Sequence, residues 1–179
     1  MTRESDPAQQ ARDICLRLLS VRPRTYIELA EALTKKGVPD EVIADVLDRY
    51  RDVGMVDDAA FAQAWVSSRH HSKKLSRRAL SSELRRKGVD TELVDEALEQ
   101  VDDDSERDAA AELARKRWRA LRTRQLAPEV AFRRMVSMLA RKGYPASVSV
   151  SVVKEILAEH DAQLAEMAAS IDPHTYEDY

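Results

Sequence analysis

The sequence predicts an all-α fold, an elongated tandem array of three three-helix repeats, and three observations predict it. Glycine and proline are scarce, four and six in 179 residues, while Ala, Leu, Glu, Arg and Lys abound, a balance that favours helices over turn-rich sheets. Charged residues make up 34% and aromatic residues 5%, a mixture unsuited to one large core and compatible with small units in series. Three of the four glycines close one recurring phrase: LTKKGV at 33–38, LRRKGV at 84–89 and LARKGY at 139–144.

Each unit opens with a helix of its own. AQQARDICLRLLS (8–20) supplies Ile14, Leu18 and Leu19. VDDAAFAQAWVSSR (56–69) offers Asp57 or Asp58 as N-cap and Phe61, Trp65 and Val66 on one face. DSERDAAAELARKRWRAL (104–121) offers Ser105 as cap, with Ala109, Leu113 and Trp118 or Leu121 inward. The middle helices come next. Aligned on Gly37, Gly88 and Gly143, they carry Leu33, Leu84 or Leu139 four residues earlier and Leu29, Leu80 or Met135 eight earlier. That spacing makes one apolar stripe on a helix. The basic pair before each glycine suits the negative helix end, and glycine suits a left-handed cap.

A short turn follows each glycine (VPDE, VDTE, YPAS) and leads into the third helix. Its inward residues are Val42, Val46 and Leu47; Leu93, Ala97 and Leu98; and Val148, Val152 and Val153. Pro39 and Pro145 stand where a helix starts, with Asp40, Asp90 or Ser147 nearby. Glycine spacings of 51 and 55 residues set the period. The expected boundaries are 8–54, 55–101 and 105–160, with a frayed tail over 161–179. A unit of this size buries a marginal core alone, so neighbours must pack on one another.

Several function classes find no support. Four dispersed glycines build no phosphate-cradling loop. His70 and His71 diverge by about 100° on a helix, and His160 and His174 stand alone, so no metal site is expected. The acids of VDDDSERD (101–108) read as linker and helix cap, and no nucleophile motif is present. Neither catalysis nor a cofactor is expected. Cys15, the single cysteine, sits in an apolar helix and excludes an intramolecular disulfide. No apolar leader and no run of about 18 apolar residues occurs, so a cytoplasmic, soluble chain without a membrane span is expected.

Charge carries more information. The net charge of −3 hides segregation. Residues 69–87 hold eight cations against Glu83, and 115–142 hold ten against Glu129. Between them, 90–108 holds ten acids against Arg107. The binding candidates are Arg69, Lys73, Lys74, Arg77, Arg78, Arg85, Arg86 and Lys87, with Arg115, Arg117, Arg119, Arg122, Arg133, Arg134, Arg141 and Lys142. Arg78, Arg85 and Lys74 can share an outer helix face, and Ser72, Ser76 and Ser81 are placed to donate to phosphates. Such a surface suits a polyanion, held mainly through counterion release. Solvated helix faces paired with neighbouring acids are the competing reading. No separate recognition helix points to base reading.

The central segment, MVDDAAFAQAWVSSRHHSKKLSRRALSSELRRKGVDTELVDEAL (55–98), resembles the regulatory protein RecX family. It has an acid-capped helix with its aromatics, then Arg69 and a basic loop, then a helix ending Leu-x-x-Lys-Gly-Val and one ending Ala-Leu. The flanking stretches 28–58 and 131–153 fit the same tandem plan, so the resemblance covers roughly residues 10–158. It implies a modulator, mainly an inhibitor, of the RecA recombinase, acting as a curved helical array in the groove of the RecA–DNA filament. The partners it implies are RecA and single- or double-stranded DNA; as a repeat array the chain is expected to work as a monomer. Where the family often has Gly-Pro, this chain has HSKKLS (71–76), so its loop geometry should differ. A free-standing helical DNA-binding module without RecA specificity is the alternative.

Overall fold

The computed structural model describes residues 6–123, 126–160, 166–167 and 169–171. All regular structure among these residues is helical. In order come α1 (Pro7–Leu19), α2 (Tyr26–Thr34), α3 (Asp40–Asp52), α4 (Asp58–Lys73), α5 (Arg77–Arg86), α6 (Thr91–Leu98), α7 (Asp103–Arg122), α8 (Pro128–Arg141) and α9 (Ala146–Ala158).

The helix starts follow from short polar side chains and prolines. Asp6 accepts the Ala8 N–H, and Pro7 opens α1. Thr25 and Glu28 form a reciprocal capping box on α2. Asp57, not Asp58, caps α4 by accepting the Ala60 N–H at 2.8 Å, while Asp58 accepts the Tyr26 N–H. The expectation of Ser105 as the cap of α7 is corrected: Asp102 accepts the Ser105 N–H at 2.7 Å, and the helix begins at Asp103. A carboxylate is the stronger acceptor at the positive helix end, and it takes the position.

The recurring phrase closes three helices in one way. Gly37, Gly88 and Gly143 have φ of +75°, +75° and +89°. The N–H of the following residue, Val38, Val89 or Tyr144, reaches back to the carbonyl of Leu33, Leu84 or Leu139. This is the Schellman closure, and all six of those side chains are buried. The second leucine-stripe position is buried as well, at Leu29, Leu80 and Met135.

Packing divides the chain into two units, one of residues 1–66 with 81–98, the other of 67–80 with 99–179. In the first, α1, α2 and α3 enclose Ala11, Cys15, Leu29, Leu33, Val46 and Leu47. Cys15 is the small buried hydrophobe expected, and burial pushes its thiol up to about 11. In the second, α7, α8 and α9 enclose Trp118, Phe132, Met135, Leu139, Val153 and Ile156. Helices α4 and α5 each contribute residues to both units. Most of the tail expected at 161–179 lies outside the described residues. Within the described part, Met167 and Ile171 pack against the second core, and the Ile171 carbonyl accepts from Lys154 Nζ at 2.8 Å.

Candidate polyanion-binding surface

The sixteen candidate cations divide into those committed to internal bonds and those that are not. In the first unit, the N-terminus of α2 sits on the phrase that closes α5. Thr25 Oγ1 donates to the Lys87 carbonyl at 2.6 Å, and Lys87 Nζ donates to Glu28 Oε1 at 2.6 Å. The same ammonium lies 4.5 Å from the centre of the Trp65 ring, which stacks on Phe61. Arg22 holds both oxygens of Glu28 through its two terminal guanidinium nitrogens, Oε2 at 3.0 Å and Oε1 at 3.2 Å. Burial pushes the Glu28 carboxyl up, but hydrogen bonds and charge from Arg22 and Lys87 overcome it and lower its pKa to about 2. Lys87 therefore belongs to this junction and has no free charge to present.

The second unit repeats the arrangement with different atoms. The Ser76 N–H donates to the Lys142 carbonyl at 3.1 Å, and Ser76 Oγ caps α5 by accepting the Ala79 N–H. Lys142 Nζ donates to the Lys73 carbonyl at 2.9 Å, and the Tyr144 hydroxyl donates to the Lys74 carbonyl at 2.9 Å. The loop HSKKLS thus turns through a left-handed Lys74, φ +52°. Lys74 is not on a helix face with Arg78 and Arg85, as expected; it precedes α5, and its ammonium bonds Glu112 at 2.8 Å. Arg77 is committed too. Its N–H and Nε reach Glu106 at 2.8 and 3.2 Å, and its outer nitrogen reaches Asp103. Burial alone would lower the Arg77 pKa, but these two carboxylates raise it.

The two later glycines have a second task here. A Cβ on Gly88 would stand 2.5 Å from the Ile27 side chain, and one on Gly143 would stand 2.5 Å from Ser76 Oγ. A Cβ on Gly37 would meet nothing within 4 Å. Neighbouring helix starts come so close at the second and third copies that a side chain there is excluded.

The remaining cations are distributed over several faces. Lys73, Arg78, Arg85 and Arg86 are exposed, with Arg86 Nε donating to the Ser82 carbonyl. Arg69 is half-buried and engaged in a contact of its own, so it is not one of the free cations. On α7, Arg115, Arg119 and Arg122 fall at i, i+4 and i+7 on one face, and Arg115 pairs with Glu159 at 3.3 Å. Arg117 falls on another face, where it joins Arg133, Arg134 and Arg141 of α8 around an open hollow completed by Val130 and Ser137. Among the described residues none of these four arginines makes an ion pair, and Arg117 Nε is shielded from solvent without a hydrogen-bond acceptor. Sequence reasoning passed over Ser137. Its signal is the stripe Arg133–Ser137–Arg141, one residue per turn of α8.

No group of three or more His, Cys, Asp or Glu among the described residues is placed to hold a metal ion. No helix among them is long and apolar enough to cross a membrane.

Comparisons with known proteins bear on the whole chain. The description "RecX, first three-helix domain" matches residues 11–49, "RecX, second three-helix domain" matches 57–98, and "RecX, third three-helix domain" matches 104–153. The regulatory protein RecX of Streptomyces coelicolor is 49% identical over 154 residues, covering 86% of this chain and 81% of its own length. That of Thermobifida fusca is 49% identical over 148 residues, covering 83% and 79%. The crystal structure of RecX from Lactobacillus salivarius has the same fold, with a TM-score of 0.74 at 19% identity over 85% of this chain and 97% of that one. A crystal structure of a regulatory protein RecX gives a TM-score of 0.74 at 25% identity, over 84% of this chain and 74% of that one.

Proposed function

The chain belongs to the RecX family, and on that premise we propose that it modulates, and mainly inhibits, the RecA recombinase. It binds the RecA–DNA filament and lowers its ATPase and strand-exchange activities. The observation that carries this reading is the ordered set of three RecX domains across residues 11–153, together with 49% identity to proteins named regulatory protein RecX.

The chain acts in the cytoplasm as a monomer. Its exposed cations at Lys73, Arg78, Arg85 and Arg86 meet acidic filament surface or DNA phosphates. Its acidic 90–108 stretch, apart from the carboxylates held by Arg77, faces basic elements of RecA. A protein that bridges neighbouring protomers shifts a filament only by preferring one of its states, so binding must differ between the active and the collapsed filament.

The test is co-sedimentation of the chain with RecA filaments on single-stranded DNA, with DNA alone as the second arm. Saturable pelleting that requires RecA is expected. Equal pelleting with bare DNA would instead favour a DNA-binding module without RecA specificity. That second reading is motivated by Arg117 of α7 and Arg133, Arg134 and Arg141 of α8, which line one hollow and make no ion pair among the described residues.

A further inference from the structure

We propose that the hollow between α7 and α8 is a phosphate-binding site for the backbone of nucleic acid, contacted without reading bases. Arg117 enters from α7, and Arg133, Arg134 and Arg141 enter from α8, with Ser137 between them. This deepens the functional reading above and rests on it only in placing the chain beside DNA.

Acids outnumber bases, 32 to 29, and other cations of the same chain find carboxylates: Lys74 at Glu112, Arg77 at Glu106 and Lys87 at Glu28. Four arginines converging without one, among the described residues, repel each other unless an anion joins them. Arg117 Nε also lacks an acceptor, and a charged oxygen in the hollow is the partner a guanidinium favours. Ser137 adds a hydroxyl donor to the hollow.

Geometry decides the class of anion. From Arg133 to Arg141 the helix rises about 12 Å, a length matching roughly three phosphates along one duplex strand. The hollow is therefore sized for a polymer of phosphates. Among the described residues no aromatic ring lines it, so it lacks the stacking platform of base-binding grooves, and the charged contact falls on the backbone. Val130 is its one aliphatic residue, whereas a protein partner would need an apolar, aromatic centre to its interface.

The experiment measures binding of the full chain to a labelled random-sequence duplex across potassium chloride concentrations. The variants are R133Q/R134Q/R141Q and the charge-preserving R133K/R134K/R141K. All three arginines are exposed, and a circular-dichroism melt checks the fold. The glutamine variant should bind about tenfold or more weakly near 0.1 M salt, and its slope of log affinity against log salt should fall by about 3. The lysine variant should keep the slope. Equal affinity and slope in wild type and glutamine variant would overturn the site. So would an unchanged duplex affinity combined with lost binding to polyglutamate, which would assign the hollow to an acidic protein. RecA ATPase measured on the same samples separates the two readings: wild type that binds duplex through the hollow yet leaves RecA untouched supports the site and removes RecA modulation.

Discussion

The two basic blocks of this chain look alike in sequence and are used differently. Residues 69–87 hold the denser run of cations, yet Lys74, Arg77 and Lys87 are bonded to Glu112, Glu106 and Glu28. Residues 115–142 are more dilute, yet they bring four arginines together with no such partner among the described residues. Charge density along a chain therefore marks where cations are, not which are available. Availability depends on carboxylates brought in by the fold: Glu106 is 29 residues from Arg77, and Glu28 is 59 from Lys87.

The largest effects should come from the phrase that anchors the first block. Gly88→Ala and Gly143→Ala combine a left-handed residue with a Cβ overlapping its neighbour, and each should cost about 3 kcal/mol or more in urea unfolding. Gly37→Ala has only the backbone penalty, about 1 kcal/mol. Equal losses at all three would dissolve the distinction between a cap and a junction. Lys87→Met comes next, because it leaves the half-buried Glu28 with only Arg22 and the Thr25 N–H as partners; about 2 kcal/mol of stability should go.

Acid sharpens the same contrast at slightly smaller cost. The folded pKa of Glu28, about 2, lies below its ordinary value near 4.5. Its contribution is thus complete above about pH 5 and is lost as pH falls from there through about 2, on the order of 2 kcal/mol. Glu28→Gln should flatten that part of the stability–pH curve; an unaltered acid limb would show that other carboxylates dominate it. The smallest stability effects belong to the second block. Arg133→Gln, Arg134→Gln and Arg141→Gln should each shift stability by under about 0.5 kcal/mol, since no folded partner is lost. A larger drop in melting temperature would mean that these arginines are structural.

Local features of this fold were legible in the sequence and tertiary pairings were not. The stripes Leu29–Leu33, Leu80–Leu84 and Met135–Leu139 and the left-handed glycines follow from spacing within one helix, and all are present. Asp102 was misread in favour of Ser105 because both residues cap well and only the start of α7 separates them. On α8, Arg133, Ser137 and Arg141 are one turn apart and readable as a face. Arg117 joins them only through packing of α7 on α8. The recurrence of Lys-Gly was visible, but not its cause in the later two copies, where a preceding helix start rests on the glycine and bonds the lysine carbonyl.

We propose that the exposed, uncommitted cations act on a RecA filament while the committed ones hold the fold. The most direct test is the concentration of chain giving half-inhibition of RecA's ATPase on single-stranded DNA, compared between wild type and R78E/R85E/R86E. Wild type should inhibit, and the folded variant should need at least about tenfold more protein. A flat response to wild type, or identical half-inhibition by both, would contradict it.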